Sequence, residues 1–308
     1  PRTCPVNGNT REGGSVTEHQ PYVTDDAEGL RWRLMLGDSC ERLAELEDES
    51  IDLSVFSPPF ASLYTYSPSE RDLGNSADRD EFFEHFGYIT DHLLRVTKPG
   101  RLACVHVQQL TTTKATHGYN ALTDFRGQVI AHFQEHGWWL HGETTIDKDP
   151  QAQAIRTKAH ALMFKTLRRD SSMTRPALAD YLLVFKRPGE NAVPIVGDVD
   201  NETWIEWARP IWVGIRETDT LNTAAARDDR DERHICPLQL PLIERCVRLW
   251  SNEGETVLSP FAGIGSEGVV SLKHGRQFIG CELKPSYWKT AAENLRAAEG
   301  QTAMHIAA

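Results

Sequence analysis

Between an apolar run at 256–258 and a helical stretch that reaches His274 lies the turn Ser259-Pro260-Phe261-Ala262-Gly263-Ile264-Gly265-Ser266-Glu267-Gly268, and Glu282 closes the apolar run that follows. Few folds place such a turn there. Small residues between a strand and a helix let the backbone approach a ligand at the helix N-terminus, and a carboxylate ending the next strand can accept both hydroxyls of a ribose. The segment predicts a nucleoside site in an α/β sheet. Gly263, Gly265 and Gly268 also fit the dinucleotide fingerprint, with Glu282 at about the ~20-residue interval expected, so an NAD(P)-binding oxidoreductase is a rival reading. Against it, the dinucleotide fold needs several further strands after this turn, and only about forty residues follow Gly268.

The rest of the chain alternates in the same style. Leu34-Met35-Leu36 ends in Gly37-Asp38, a helix-compatible stretch carries Leu43 and Leu46, and Ile51 to Phe56 is a second apolar run. Phe82, Phe83, Phe86, Ile89, Leu93 and Leu94 recur at helical spacing, and Lys98-Pro99-Gly100 is expected to end that helix before a strand over Leu102 to Val107. Further elements are a helix over Asp124 to His136, an extended stretch to Ile146, a strand over Tyr181 to Phe185, and helices over Pro241 to Trp250 and after Pro285. The pattern predicts a mostly parallel sheet with helices on both faces.

The strand at Ile51 to Phe56 stops at Ser57-Pro58-Pro59-Phe60, because proline lacks the amide hydrogen a central strand needs. Open α/β sheets place ligands at the carboxyl ends of their strands. The Ser57 hydroxyl and the Pro58 carbonyl are two acceptors held rigidly by Pro58 and Pro59, suited to bonding the hydrogens of an amine whose lone pair is delocalised into a ring. Phe60 offers a flat face on which a base rotated out of a duplex could stack.

The net charge of −11 is the wrong sign for a protein that coats DNA non-specifically. The charge is uneven, however. From Arg156 to Arg187 the chain carries Arg156, Lys158, Lys165, Arg168, Arg169, Arg175, Lys186 and Arg187 against Asp170 and Asp180, a basic strip of the kind a phosphate backbone attracts. No apolar run approaches the roughly 20 residues a membrane helix requires, and the polar start, Pro1 to Gly29, lacks the apolar core of a signal peptide. A cytoplasmic protein with no membrane role is expected. Cys4, Cys40, Cys104, Cys236, Cys246 and Cys281 form no C-x-x-C pair, so reduced thiols and no metal site are expected, although His234 and Cys236 could begin one.

Taken together, Ser57-Pro58-Pro59-Phe60, Phe261-Ala262-Gly263-Ile264-Gly265 and Phe278-Ile279-Gly280-Cys281-Glu282 resemble the amino-methyltransferases of DNA, which form N4-methylcytosine or N6-methyladenine. The catalytic tetrapeptide precedes the cofactor loop, as in the permuted group called beta. The resemblance implies an S-adenosylmethionine-dependent, Rossmann-like methyltransferase acting on double-stranded DNA, with a homodimer common among such enzymes. It implies Ser57, Pro58, Pro59 and Phe60 as catalytic residues. It also implies a cofactor site of Asp38 near the adenine, Glu282 on the ribose, and Ser57, Ser259, Phe261, Ala262, Gly263 and Gly265, with Pro237 bordering the methionine part. The family usually has an acidic residue at Ser259, set against the cofactor's ammonium group.

In that arrangement residues 1–29 form a polar arm, 30–144 and 234–308 the catalytic domain, and 145–233 a target-recognition region. Arg156, Lys158, Lys165, Arg168, Arg169 and Arg175 of that region would contact DNA. Serine at the head of the tetrapeptide looks more like the cytosine-N4 members, whereas aspartate or asparagine is commoner in the adenine-N6 members. RNA or protein amide methylases carry related tetrapeptides but usually place the cofactor loop first. A DNA-binding relative without catalysis is a further alternative.

Overall fold

A computed structural model of the chain describes residues 22–59, 73, 79–112, 114–151, 153, 168–173, 176–222 and 237–306. The strands are β1 (Asp25–Glu28), β2 (Trp32–Leu36), β3 (Ile51–Phe56), β4 (Thr97–Gln108), β5 (Leu110–Thr111), β6 (Leu122–Thr123), β7 (Trp139–Ile146), β8 (Asp180–Lys186), β9 (Ile211–Trp212), β10 (Thr256–Ser259) and β11 (Gln277–Glu282). Nine of them form one sheet in the order β1-β2-β11-β10-β3-β4-β8-β7-β9. Parallel pairing runs from β2 to β4 through β11, β10 and β3, whereas β8 is antiparallel to both β4 and β7. The mostly parallel sheet expected from the alternation of elements is present.

Every residue of β3 is buried, as a strand covered on both faces by helices requires. One face carries the helices Leu240–Trp250, Ser266–Lys273 and Pro285–Ile306, which bury Leu242, Ile243, Val270, Leu272, Ala291 and Leu295. The opposite face carries Ser39–Leu43, Arg79–Val96 and Phe125–Glu135, which bury Leu43, Phe82, Phe86, Leu93, Val129 and Phe133. Phe133 stacks on Phe185 of β8 with ring centroids 4.1 Å apart, locking one of these helices to the sheet. At the amino ends of the strands, Asp52 of β3 is buried and satisfied by Lys98 Nζ at 2.7 Å and by the Thr256 amide at 3.0 Å, which clamps β3 to β10.

Three boundaries differ from expectation. The polar arm at 1–29 contains β1, which pairs antiparallel with β2; an edge strand gains backbone hydrogen bonds without needing apolar side chains. Lys98-Pro99-Gly100 does not precede the strand but lies inside β4, which starts at Thr97 directly after the helix. The proline cannot donate to the ladder, and the pairing with β3 shifts register there while Gly100 adopts φ +74°. Finally, β8 and β9 come from the interval 145–233 yet belong to the main sheet, so the sheet extends beyond residue 144.

Candidate active site

Because β2, β11, β10, β3 and β4 run parallel, their carboxyl ends emerge on one edge of the sheet. Asp38, Glu282, Ser259, Ser57 and His106 lie at or near those ends. The two motifs, about 200 residues apart in the chain, are therefore delivered by adjacent strands roughly 4.8 Å apart. Phe56, just before Ser57, has its ring 5.9 Å from that of Phe261 in the glycine turn.

The turn after β10 is stitched to β11. The Ala262 amide donates to the Cys281 carbonyl (2.8 Å), the Gly263 amide to Glu282 Oε2 (2.8 Å), and the Gly265 amide to the Ala262 carbonyl (2.7 Å). Gly263 and Gly265 have φ of +53° and +87°, conformations that cost an L side chain about 1–2 kcal/mol. A Cβ on Gly263 would meet no protein atom within 4 Å, so the turn faces open space, whereas one on Gly268 would lie 2.4 Å from Leu295 Cδ2 and 2.5 Å from Phe278 Cδ1. The first position thus leaves room for a ligand and the last permits close packing of helix on strand.

Glu282 also accepts from the Lys284 amide through Oε1 (2.8 Å). These two backbone bonds fix the orientation of the carboxylate at the edge of the turn. Asp38 is buried and caps the helix Ser39–Leu43 by accepting from the Cys40 amide (2.9 Å), while the neighbouring Gly37 amide donates to the Glu282 carbonyl (2.9 Å). Ser39, which sequence reasoning missed, donates to the Pro260 carbonyl at 2.5 Å and ties this helix to the turn. Ser259 and Ser266 are buried with hydroxyl oxygens that find no partner among the described residues. Glu267, in the first turn of the helix Ser266–Lys273, is also buried; burial and the charge of Glu282 push its carboxyl up to about 8.

These features fit S-adenosylmethionine. Among the described residues the space before Gly263 is free of protein, the buried Ser259 and Ser266 hydroxyls have no partner, and the Glu282 carboxylate supplies negative potential that a sulfonium and an ammonium group favour, whereas the Glu267 carboxyl, pushed up to about 8, is neutral at pH 7. Phe261 is half-buried and Ala262 buried in the turn, and Pro237 is half-buried beside the buried Leu238. His234 and Cys236 lie outside the described residues.

At the end of β3, Ser57 is half-buried and its hydroxyl donates to the His106 carbonyl at 3.1 Å. His106 Nδ1 lies 3.2 Å from the same hydroxyl, and His106 Nε2 lies 3.0 Å from Asp180 Oδ2 at the start of β8. Lys148, just beyond β7, places Nζ 2.5 Å from that same carboxylate oxygen. Burial pushes the Asp180 carboxyl up, but hydrogen bonds and charge from His106 and Lys148 outweigh it and hold the group below the ordinary carboxylate value. Sequence reasoning missed His106, Lys148 and Asp180. His106 and Asp180 each read locally as one polar residue in or beside an apolar run, and Lys148 as part of the polar stretch Asp147-Lys148-Asp149.

Pro58 is buried and Pro59 half-buried, whereas Phe60 lies outside the described residues. Of the basic strip, Arg168 and Arg169 are exposed, and Arg187 is used structurally, pairing with Glu49 at 2.9 Å. Arg156, Lys158, Lys165 and Arg175 lie outside the described residues. Cys40, Cys104, Cys246 and Cys281 are buried and form no disulfide. Among the described residues no helix is long and apolar enough to cross a membrane.

A nucleoside cradle beside a proline-terminated strand, both on the carboxyl edge of a mostly parallel sheet, defines a nucleoside-binding α/β enzyme. Known proteins narrow that class. Residues 51–293 match the family described as DNA methylase. The type II methyltransferase M.BglI of Bacillus subtilis is 28% identical over 163 residues, 53% of this chain and 40% of M.BglI. The protein TTHA0409 of Thermus thermophilus, solved in complex with S-adenosyl-L-methionine, superposes with a TM-score of 0.64 at 22% identity, over 87% of this chain and 93% of that one. PvuII DNA methyltransferase, described as cytosine-N4-specific, superposes with a TM-score of 0.61 at 18% identity, over 88% of this chain and 92% of its own. The chain belongs to the DNA methylase family whose members methylate cytosine N4 or adenine N6 with S-adenosylmethionine as donor. That membership removes the oxidoreductase alternative.

Proposed function

We propose that the chain methylates the N4 amine of a cytosine rotated out of double-stranded DNA. The observation that carries this reading is the delivery of Ser57 and the Gly263 turn by adjacent parallel strands to one edge of the sheet. S-adenosylmethionine, when bound, supplies an electrophilic methyl group. The chain's own residues do the rest. Glu282, fixed by the Gly263 and Lys284 amides, would hold a ribose, while the buried Ser259 and Ser266 hydroxyls would receive polar parts of the cofactor. Ser57 and the Pro58 carbonyl accept hydrogens from the base amine and draw its lone pair out of conjugation, and Phe60 is the residue type on which the base would stack. No covalent enzyme intermediate is required.

Cytosine is favoured by serine at position 57 and by the cytosine-N4 specificity of the PvuII enzyme, whose fold this chain shares. The part of 145–233 that lies outside the main sheet would read the target, with the exposed Arg168 and Arg169 meeting phosphates. The test is nucleoside mass spectrometry of duplex DNA incubated with the protein and S-adenosylmethionine. N4-methylcytosine is the expected product. N6-methyladenine would overturn the choice of base, and unmodified DNA would favour a DNA-binding relative without catalysis.

A further inference from the structure

Methyl transfer to an amine leaves a charge to dispose of, and the methylase reading above does not say where it goes. The nitrogen lone pair forms the N–CH3 bond, the electrons of the broken C–S bond stay on sulfur, and the nitrogen is left with one proton too many. Glu282 and Glu267 lie on the cofactor's side, at β11 and the helix beside it. The groups next to Ser57 are different ones. We propose that His106, held by Asp180 and Lys148, orients the Ser57 hydroxyl and takes up through it the proton that the base amine sheds. The inference rests on the assignment of Ser57 to the amine, and His106 is in these terms a positioning residue that never touches the base.

The geometry sets the direction of every hydrogen bond. A carboxylate can only accept, and Asp180 is kept anionic by its neighbours, so the hydrogen between it and His106 belongs to Nε2. A neutral imidazole protonated at Nε2 has a bare Nδ1, and that lone pair faces the Ser57 hydroxyl at 3.2 Å. Among the described residues the Ser57 hydrogen thus has its acceptors on the His106 side, the ring nitrogen and the carbonyl at 3.1 Å, which leaves oxygen lone pairs for the base amine. As the amine proton moves to Ser57 Oγ, the Ser57 proton moves to His106 Nδ1. The imidazolium so formed faces the Asp180 carboxylate and later returns its proton to water. Atoms and charge balance without any further reactant.

The groups facing His106 are Ser57 from the end of β3, Asp180 from β8 and Lys148 from beyond β7. His106 and Asp180 sit on paired strands, and both side chains and that of Lys148 are buried. A histidine needed only for packing would not require a buried ion pair behind it and a half-buried hydroxyl before it. The arrangement holds the reacting hydroxyl on rigid elements with locked partners, as proton transfer demands.

The test combines rates, affinities and a spectrum. Single-turnover methyl transfer at saturating DNA and cofactor is measured for His106→Asn and Asp180→Asn, with the dissociation constants for S-adenosylmethionine and DNA determined separately by titration. The expected result is a rate lower by about 10²-fold for His106→Asn, the scale of general acid–base assistance, with both dissociation constants unchanged. Should a variant not fold, long-range 1H–15N correlation spectra of the wild-type protein decide, and the Nε2–H tautomer of His106 is expected. An unchanged rate, a rate loss matched by weaker binding, or a neutral Nδ1–H tautomer would overturn the proposal while leaving the methylase reading intact. A wild-type protein that modifies no base amine would instead sink the function itself, a result readable before any variant is made.

Discussion

Glu267→Gln is the perturbation whose energetic consequence the structure sets most directly. The carboxyl is buried, and burial together with the charge of Glu282 raises its titration from an ordinary value near 4.5 to about 8. A carboxyl raised in the folded state holds its proton more tightly there than in the unfolded chain. Between pH 4.5 and 8 the unfolded chain therefore binds fewer protons, and folding stability falls as pH rises. Each pH unit in that window costs ~1.4 kcal/mol, so the wild-type protein gives up ~4 kcal/mol by pH 7.5 relative to pH 4.5. Glutamine has the same shape and does not titrate. The difference in unfolding free energy between variant and wild type should be near zero at pH 4.5, grow with pH in favour of the variant, and level off above pH 8. Guanidinium unfolding of both proteins, followed by circular dichroism at pH 4.5, 6, 7 and 8, measures it. A difference independent of pH, or one favouring the wild type as pH rises, would refute the placement of Glu267 in a buried site beside Glu282.

Three further outcomes are expected. Gly263→Ala places a Cβ in the open space before the turn at φ +53° and should leave a folded protein that binds S-adenosylmethionine at least about tenfold more weakly by calorimetry, whereas Gly268→Ala drives a Cβ into Leu295 and Phe278 and should cost about 1–3 kcal/mol of stability in thermal melts. His132 is lowered to about 4 by burial and by the charge of His136, so its contribution to stability is present above pH 6.5 and lost as pH falls toward 4; His132→Gln should flatten that acid limb in melts between pH 7 and 5.

The relation between Gly263 and Glu282 was legible because it is local. A strand, a tight glycine turn, a helix and the next strand form one continuous unit, and the observed bond from the Gly263 amide to Glu282 Oε2 closes it. The same holds for Ile51 to Phe56, whose unbroken apolar run and terminal prolines mark a central strand and its end. Proton-bearing partners were a different matter. His106 sits in a run that reads only as an apolar strand, and its contact with Asp180, 74 positions away, exists because β8 inserts antiparallel beside β4. β1 escaped notice because edge pairing uses backbone groups that every residue carries.

What the chain's residues determined alone was local chemistry: glycines that open a tight turn, a carboxylate at a strand end, and prolines that stiffen two acceptors. Tertiary structure decided which of these meet. Strand order is set by how apolar faces are buried between layers, a property of the whole sheet that no window of sequence contains. By placing β10 next to β3, and β8 next to β4, it brought the glycine turn beside Ser57 and a histidine–aspartate pair behind it.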